Sequence, residues 1–150
     1  MILYCDTSAF VKRYVREEGA GEVRRAWREA RRIATSEVAF AEAMAAVARR
    51  WRLGDLSDEA HGKLRDRISR DVRALVRVPV TDELNRRIAD LVLRHPLRGF
   101  DAIHLASALL IQEETRGPVL FACFDGDLSS AAEAAGLALL PYGGHRPPKP

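Results

Sequence analysis

The chain has 150 residues, of which 47% are hydrophobic and 30% are charged, and this size and composition are typical of a single globular domain. Basic residues outnumber acidic residues by 24 to 21, which gives a net charge of +3 and a pI near 9.2. No segment is apolar over the length of a membrane span or has the features of a signal peptide, so a membrane-spanning protein is excluded and a cytoplasmic protein is expected.

Hydrophobic periodicity predicts alternating strands and helices in the first half of the chain. The predicted elements are a strand over 1–5, a helix over 9–16, a loop over 17–21, an amphipathic helix over 22–32, a short strand at 33–34 and a helix over 37–53. In the helix over 22–32, Val23, Trp27 and Ala30 are expected to face inward. Thr35 and Ser36 are expected to cap the helix that follows them.

The second half continues the alternation. Its predicted elements are a helix that begins at 57–59, a strand over 76–80, helices over 82–95 and 101–116, a strand over 119–124, a helix over 128–135 and a strand over 137–140. Pro79 indicates either that its strand lies at a sheet edge or that the strand ends there, because proline cannot donate to the ladder. Residues 1–142 are expected to form the domain, and the proline-rich tail over 143–150 is expected to be disordered.

Strands separated by helices predict an α/β fold with a parallel sheet and helices on both faces. Neither a GxGxxG nor a GxxxxGKS phosphate loop occurs, which argues against nucleotide-cofactor folds. Cys5 and Cys123 fall on predicted buried strands, and we expect both to be free thiols. Arginine supplies nearly all the positive charge and suits phosphate groups, so a nucleic-acid partner is permitted, although a compositional bias explains it equally well.

Three acidic residues stand where predicted strands end or a helix begins. Asp6 follows the first strand, Asp125 follows the strand over 119–124, and Asp101 opens an apolar helix. Open α/β folds bind their ligands at the carboxyl ends of the strands, so these acids are expected to converge. Each acid taken alone is equally well explained as a helix N-cap. Asp127 stands close enough to Asp125 to leave that assignment ambiguous.

A fourth acid, Glu42, lies inside the alanine-rich helix over 37–53. Phe40, Met44, Val47 and Trp51 share one helix face by spacing, and Glu42 points roughly opposite to them. Its neighbours one turn away are small and apolar, which is unusual for a solvated glutamate. The alternative is a single exposed glutamate in a position that favours good helix formers.

Convergence of these acids would require a positive charge. Two carboxylates about 5 Å apart repel each other by roughly 3 kcal/mol at an effective dielectric of about 20. Bound cations or protons relieve that repulsion, and a site built from oxygen ligands suits Mg²⁺ or Mn²⁺. The hydroxyl of Thr7 or Ser8 is available to hold a metal-bound water, although a local turn hydrogen bond is the commoner role.

The motifs together resemble those of PIN-domain ribonucleases, and most closely those of VapC toxins from toxin–antitoxin pairs. They are Asp6-Thr7-Ser8 after the opening strand, a glutamate in the helix over 36–51, the DAIHLA stretch from Asp101 and Phe124-Asp125 before the last helix. The resemblance implies a three-layer α/β/α domain that cleaves RNA with Mg²⁺ or Mn²⁺ and leaves a 5′-phosphate. By position it makes Asp6, Glu42, Asp101 and Asp125 both the metal ligands and the catalytic residues, with Asp127 in reserve.

The resemblance also implies a homodimer and a small antitoxin that reaches into the pocket. Cys123 departs from the family pattern, which often has a hydroxyl residue there. His104, on the DAIHLA helix, is expected to pack or form a local hydrogen bond rather than bind metal. Lys12 and Arg98 flank the predicted pocket, where they either steer RNA phosphates or form part of the solvated surface.

Two other functions remain open. A non-catalytic module would keep the fold as a platform for RNA or a protein, and it would have no need of the acids. A phosphatase would use Asp6 as its nucleophile and would have a second acid two residues later, where this chain has Ser8.

Overall fold

The computed structural model describes residues 1–141, in which strands and helices alternate. The strands are β1 (Ile2–Cys5), β2 (Arg32–Ser36), β3 (Val76–Val78), β4 (Val119–Ala122) and β5 (Ala138–Leu139). The helices are α1 (Thr7–Lys12), α2 (Ala20–Glu29), α3 (Ala39–Arg52), α4 (Asp58–Asp71), α5 (Asp82–Arg94), α6 (Gly99–Thr115) and α7 (Gly126–Ala134). A 3₁₀ turn over Val72–Ala74 follows α4. The predicted tail over 143–150 lies outside the described residues.

One parallel sheet runs through the middle of the domain, which confirms the predicted α/β class. Its five strands lie in the order β3-β2-β1-β4-β5, and every neighbouring pair is parallel. β1 is the central strand, with Leu3 in register with Ile33 on one side and Leu120 on the other. β3 is an edge strand, as Pro79 predicts. All strands therefore end at the same edge of the sheet.

Apolar side chains on β1 alternate between two cores, one on each face of the sheet. Leu3 and Cys5 pack with α1 to α4, whereas Tyr4 packs with α5 to α7. This alternation follows from the two-residue period of a strand. Both faces of β1 are completely buried at these positions, which explains why the sequence of the strand is a continuous apolar run.

The structure corrects the prediction for Thr35 and Ser36. Both are the last residues of β2 rather than the cap of the next helix, and the Thr35 hydroxyl donates to the carbonyl oxygen of Cys5 at 2.8 Å. The β-branched Thr35 side chain, fully buried, suits an extended backbone next to β1. α3 then begins at Ala39 with no side-chain cap.

α3 packs into the core through small side chains and one valine. The fully buried residues are Ala39, Ala43 and Val47. Phe40 and Trp51, which spacing places on one face with Val47, are 39% and 40% exposed. The helix packs closely through small side chains because α1 lies directly against it.

Other elements differ from their predictions mainly at their ends. α1 begins at Thr7 rather than Ala9, because Asp6 caps it. α6 begins at Gly99, so Asp101 lies inside its first turn and is not the cap. Cys5 and Cys123 are both buried free thiols, as predicted. Within residues 1–141, no helix is both long and apolar enough to cross a membrane.

Gly19, just before α2, packs against the ring of Phe124. Its φ of 81° lies in the left-handed region, and a Cβ there would stand 2.2 Å from Cε1 of Phe124. Gly54 has a similar φ of 83°, but nothing lies within 4 Å of the place where its Cβ would be. A comparison of substitutions at these two glycines therefore separates the cost of backbone strain from the cost of close packing.

We expect Gly19→Ala to be more destabilising than Gly54→Ala. A left-handed alanine costs about 1–2 kcal/mol at either position, and displacement of the Phe124 ring adds a further ~1–3 kcal/mol at Gly19 alone. Chemical denaturation of both variants measures the two free energies of unfolding. Equal losses of unfolding free energy in the two variants would show that the Phe124 ring moves aside freely and does not restrict the side chain at position 19.

Candidate active site

Asp6 lies between the end of β1 and the start of α1, at the carboxyl end of the central strand. Its Oδ1 accepts a hydrogen bond from the backbone N–H of Ala9 at 2.8 Å, which is the N-cap bond of α1. The Ser8 hydroxyl donates to the same carboxylate, at 2.7 Å from Oδ1. Ser8 Oγ also accepts the backbone N–H of Phe124 at 3.2 Å, so this hydroxyl ties the α1 turn to the segment before Asp125.

The Asp6 carboxyl is strongly perturbed by its position. Only 5% of the residue is exposed, and this burial raises its pKa to about 6. The hydrogen bonds from Ala9 and Ser8 oppose that rise, and the negative charge of Asp101 adds to it. A cation at this position would favour the ionised form of Asp6.

Glu42, on α3, is held at the site by a pair of partly buried hydrogen bonds. Its Oε1 accepts the Thr7 hydroxyl at 2.7 Å and lies 2.9 Å from Nε2 of His104. Burial alone would raise the pKa of Glu42, but the bonds from His104 and Thr7 outweigh burial and lower the pKa below its usual value. Glu42 is thus held as a carboxylate, and it is not a solvated surface residue.

Asp101 and Asp125 share a cation that belongs to the chain itself. The Arg98 guanidinium lies 3.0 Å from Oδ2 of Asp101 through Nε and 3.6 Å from Oδ2 of Asp125 through Nη2. Oδ1 of Asp125 accepts the backbone N–H of Leu128 and so caps α7. Asp127, in the first turn of α7, is exposed.

A cavity of about 400 Å³ opens between α3 and the start of α6. It is lined by Glu42, Arg98, Gly99, Phe100 and Asp101. The cavity is open to solvent, and the Phe100 side chain at its wall is largely exposed. This arrangement gives a negatively charged pocket with one arginine at its rim and one aromatic side chain beside it.

The four predicted acids therefore meet in overlapping pairs. Glu42 and Asp101 line one cavity, Asp101 and Asp125 share Arg98, and Asp6 senses the charge of Asp101. Within residues 1–141, however, no three side chains of the His, Cys, Asp and Glu types are grouped tightly enough to hold a metal as placed. Arg98 contacts a carboxylate oxygen of two of the acids, Asp101 and Asp125.

The donor set nevertheless fits a hard divalent cation. Four carboxylates offer oxygen ligands only, which suits Mg²⁺ or Mn²⁺. A positive group already bridges Asp101 and Asp125, so the electrostatic demand for a cation is visible in the fold. Arg98 is 80% exposed, and exposed ion pairs contribute little to stability, so its displacement by an ion costs little.

His104 is the site residue whose contacts were not predicted. It is buried, and its ring joins Tyr4, Thr7 and Glu42 rather than a residue of its own helix. The expectation of a packing role is met, but the local hydrogen bond is wrong. Its position three residues after Asp101 is a signal available in the sequence, because that spacing puts both side chains on one face of α6.

Lys12 lies next to the site but is already engaged. Its Nζ donates to Oε1 of Glu17 at 2.8 Å and stands 4.6 Å from the centre of the Phe124 ring. Arg98 contacts two of the candidate metal ligands, Asp101 and Asp125. Within residues 1–141, no hydrogen bond or ion pair joins Lys12 to any of the four acids.

Comparisons with known proteins agree with this architecture. The PIN domain family model matches residues 3–134. Ribonuclease VapC45 from Mycobacterium tuberculosis (strain CDC 1551 / Oshkosh) is 33% identical over 141 residues, which cover 93% of this chain and 95% of the relative.

Two solved structures share the fold at lower sequence identity. VapC20 from Mycobacterium tuberculosis, described as a sarcin-ricin loop cleaving toxin, superposes with a TM-score of 0.63 at 20% identity and covers 91% of this chain and 96% of its own. VapBC-5 from the same organism, a member of the VapBC family of toxin–antitoxin systems, gives a TM-score of 0.61 at 19% identity, with coverages of 93% and 97%.

We expect Asp6→Asn to stabilise the metal-free protein at neutral pH. The folded-state pKa of about 6 lies above the usual 3.8, so ionisation of Asp6 opposes folding as the pH rises through that window. Asparagine keeps the cap acceptor and removes the buried charge, a gain of up to about 3 kcal/mol at pH 7.

That gain should shrink as the pH falls below 6 and vanish below about 3.8, where Asp6 is protonated in both states. Denaturation of the EDTA-treated protein across this pH range measures it. Asp66→Asn, an exposed change on α4, is the matched control. A loss of stability in Asp6→Asn at pH 7 would contradict the burial of an uncompensated charge.

Proposed function

The chain belongs to the PIN-domain family and to its VapC members, and from that membership we propose that it is a metal-dependent endoribonuclease, the toxin of a toxin–antitoxin pair. The observation that carries the proposal is the meeting of Asp6, Glu42, Asp101 and Asp125 at one edge of the sheet, with Arg98 bridging two of them. Helix capping alone would not explain why Glu42, which lies inside α3, reaches the same place as the other acids.

Asp6, Glu42, Asp101 and Asp125 would hold Mg²⁺ or Mn²⁺. When bound, such an ion lowers the pKa of a water molecule and screens the charge of a phosphate. Three of the acids are fixed in advance: Asp6 and Asp125 by their cap bonds, and Glu42 by Thr7 and His104. Asp101 and the second oxygen of Asp125 contact the exposed Arg98 and can be released from it without loss of buried structure.

Arg98 has a second role in the proposal, toward the substrate. When an ion takes up the carboxylates, the guanidinium is left beside the pocket with its planar fork available to a phosphodiester. Phe100, exposed at the cavity wall, offers a ring on which an unpaired base can stack. RNA is the proposed substrate class on this basis and on the ribonuclease name of the 33% identical relative.

We also propose a cognate antitoxin, a homodimeric assembly and a cytoplasmic location. Support for an antitoxin comes from the similarity to VapBC-5, whose structure is that of a toxin–antitoxin system. A small protein that places a basic side chain between Asp101 and Asp125 would replace Arg98 there and compete with the metal. The charge pattern of the pocket is complementary to such a partner.

A non-catalytic binding module is the second candidate. It is favoured by the lack, within residues 1–141, of three acids grouped closely enough for metal as placed. Titration with Mn²⁺ separates the two functions, because a platform does not need to bind the ion. Stoichiometric binding that is lost in Asp101→Asn would support the nuclease.

We expect Asp6→Asn and Asp101→Asn to reduce RNA cleavage by more than about 100-fold, beyond the usual cost of losing a group that only supports a metal ligand. Cleavage of tRNA and ribosomal RNA is measured with Mn²⁺ and again with EDTA, which should abolish it. Circular dichroism verifies folding, and Asp66→Asn is the surface control. Cleavage that survives in EDTA would exclude the metal-dependent mechanism.

We expect the product of a short open reading frame directly upstream of this gene to copurify with the chain and to suppress cleavage. Mn²⁺ in excess should weaken that inhibition if the partner occupies the acidic pocket. The measurement is cleavage against partner concentration at two Mn²⁺ concentrations. Inhibition that does not change with Mn²⁺ would place the partner elsewhere on the surface.

A further inference from the structure

The central strand and the acidic site are joined by a chain of hydrogen bonds that runs from Tyr4 through His104 to Glu42. The Tyr4 hydroxyl lies 3.1 Å from Nδ1 of His104, and Nε2 of the same ring lies 2.9 Å from Oε1 of Glu42. Thr7 completes the group, since its hydroxyl donates to Glu42 and lies 3.1 Å from Nε2. These contacts connect β1, α1, α3 and α6.

Burial makes this chain stiff. Tyr4 is completely buried, and His104 is 2% exposed. The Tyr4 ring stacks on Phe121, with ring centres 5.5 Å apart, and meets the His104 ring edge-on at 6.0 Å. A ring packed on these sides cannot turn without opening the core, so the position of His104 is set by the sheet itself.

The hydrogen atoms of the chain can be assigned from its two ends. A carboxylate only accepts, so Nε2 of His104 carries the hydrogen that faces Glu42. In the neutral ring Nδ1 is then an acceptor, and the Tyr4 hydroxyl donates to it. Each buried polar atom along the path has a partner, and the donors all point toward Glu42.

This arrangement leaves the second oxygen of Glu42 available. Oε1 takes both hydrogen bonds, from Thr7 and from His104, and within residues 1–141 no hydrogen bond to Oε2 is found. Glu42 is also one of the residues that line the cavity containing Asp101. A glutamate side chain in solution samples many rotamers, whereas this one is fixed through one oxygen.

We propose that His104 is a positioning residue, which together with Tyr4 holds Glu42 in the orientation needed to bind the divalent ion. The inference rests on the proposed metal site and deepens it, because it names the group that prepares one ligand. His104 itself binds neither metal nor substrate. Metal-binding residues are commonly oriented in this way by buried partners, whose loss costs about 10- to 100-fold in metal affinity.

The test measures Mn²⁺ affinity by isothermal titration calorimetry, independently of RNA cleavage. His104→Leu removes both ring nitrogens and should weaken Mn²⁺ binding by about 10- to 100-fold. His104→Gln retains a donor near the Nε2 position and should recover part of the loss. Tyr4→Phe leaves the acidic site untouched and should weaken binding to an intermediate extent, because the ring loses its anchor at Nδ1.

Tyr14→Phe is the matched control. The Tyr14 hydroxyl also forms a side-chain hydrogen bond, to the carboxylate of Asp71 at 3.1 Å near the end of α4. Tyr14→Phe removes the same atom from a tyrosine that has no part in the Tyr4–His104–Glu42 chain, so Mn²⁺ affinity should stay at the wild-type value. Thermal unfolding of each variant without metal separates a loss of folding from a loss of affinity.

A double-mutant cycle gives the decisive result. If His104 acts through Glu42, His104→Leu should have little further effect on Mn²⁺ affinity in a Glu42→Gln background. Equal losses in both backgrounds, or wild-type affinity in His104→Leu, His104→Gln and Tyr4→Phe, would overturn the proposal.

The outcomes also separate this inference from the proposed function. RNA cleavage with unchanged Mn²⁺ affinity in the His104 variants would retain the nuclease and reject the positioning role. A non-additive cycle without any cleavage of RNA would retain the role of His104 and reject the nuclease. If the wild type binds no Mn²⁺, both the positioning role of His104 and the metal-dependent nuclease are rejected.

Discussion

The buried Asp6 carboxylate at the end of the central strand is the constraint on which the rest of the site depends. Because all five strands are parallel, their carboxyl ends lie along one edge, and β1 stands in the middle of it. Asp6 is shielded from solvent there, and within residues 1–141 only Ala9 and Ser8 donate hydrogen bonds to it. Capping of α1 explains why an acid is tolerated, but it does not explain why Asp101 and Glu42 lie in the same region. The proposed divalent ion would supply positive charge to these acids.

The acids divide into a fixed set and an adjustable set. Asp6, Glu42 and Asp125 are each held by a hydrogen bond from the scaffold, whereas Asp101 and the second oxygen of Asp125 are paired with an exposed arginine. Such a division would suit a site that exchanges cations, because the held groups stay in place while the oxygens that contact Arg98 change partners. It also explains how the domain tolerates its acids without metal: Arg98 neutralises the part of the site that faces solvent.

Strong local signals made most of the fold predictable from the sequence. Apolar runs that end at an acid identify β1 and β4, and the Ser57 and Thr81 caps fix the starts of α4 and α5. Prediction is wrong where tertiary contacts override local preference, as at Thr35, which bonds to the neighbouring strand instead of capping a helix. The four acids are visible as breaks in apolar segments. The roles of Tyr4 and His104 are not, since their contact joins residues 100 apart and depends on how α6 crosses the sheet.

The two cysteines have a consequence for the redox behaviour of the protein. Burial raises the pKa of Cys5 well above its ordinary value and that of Cys123 to about 12, so both remain protonated at physiological pH. Since the thiolate is the form that reacts with peroxides and alkylating reagents, the native domain should resist oxidation and labelling alike. Modification of Cys5, the residue beside Asp6, would then require the central strand to separate from its neighbours. Its labelling rate is therefore a built-in reporter of how often the sheet opens.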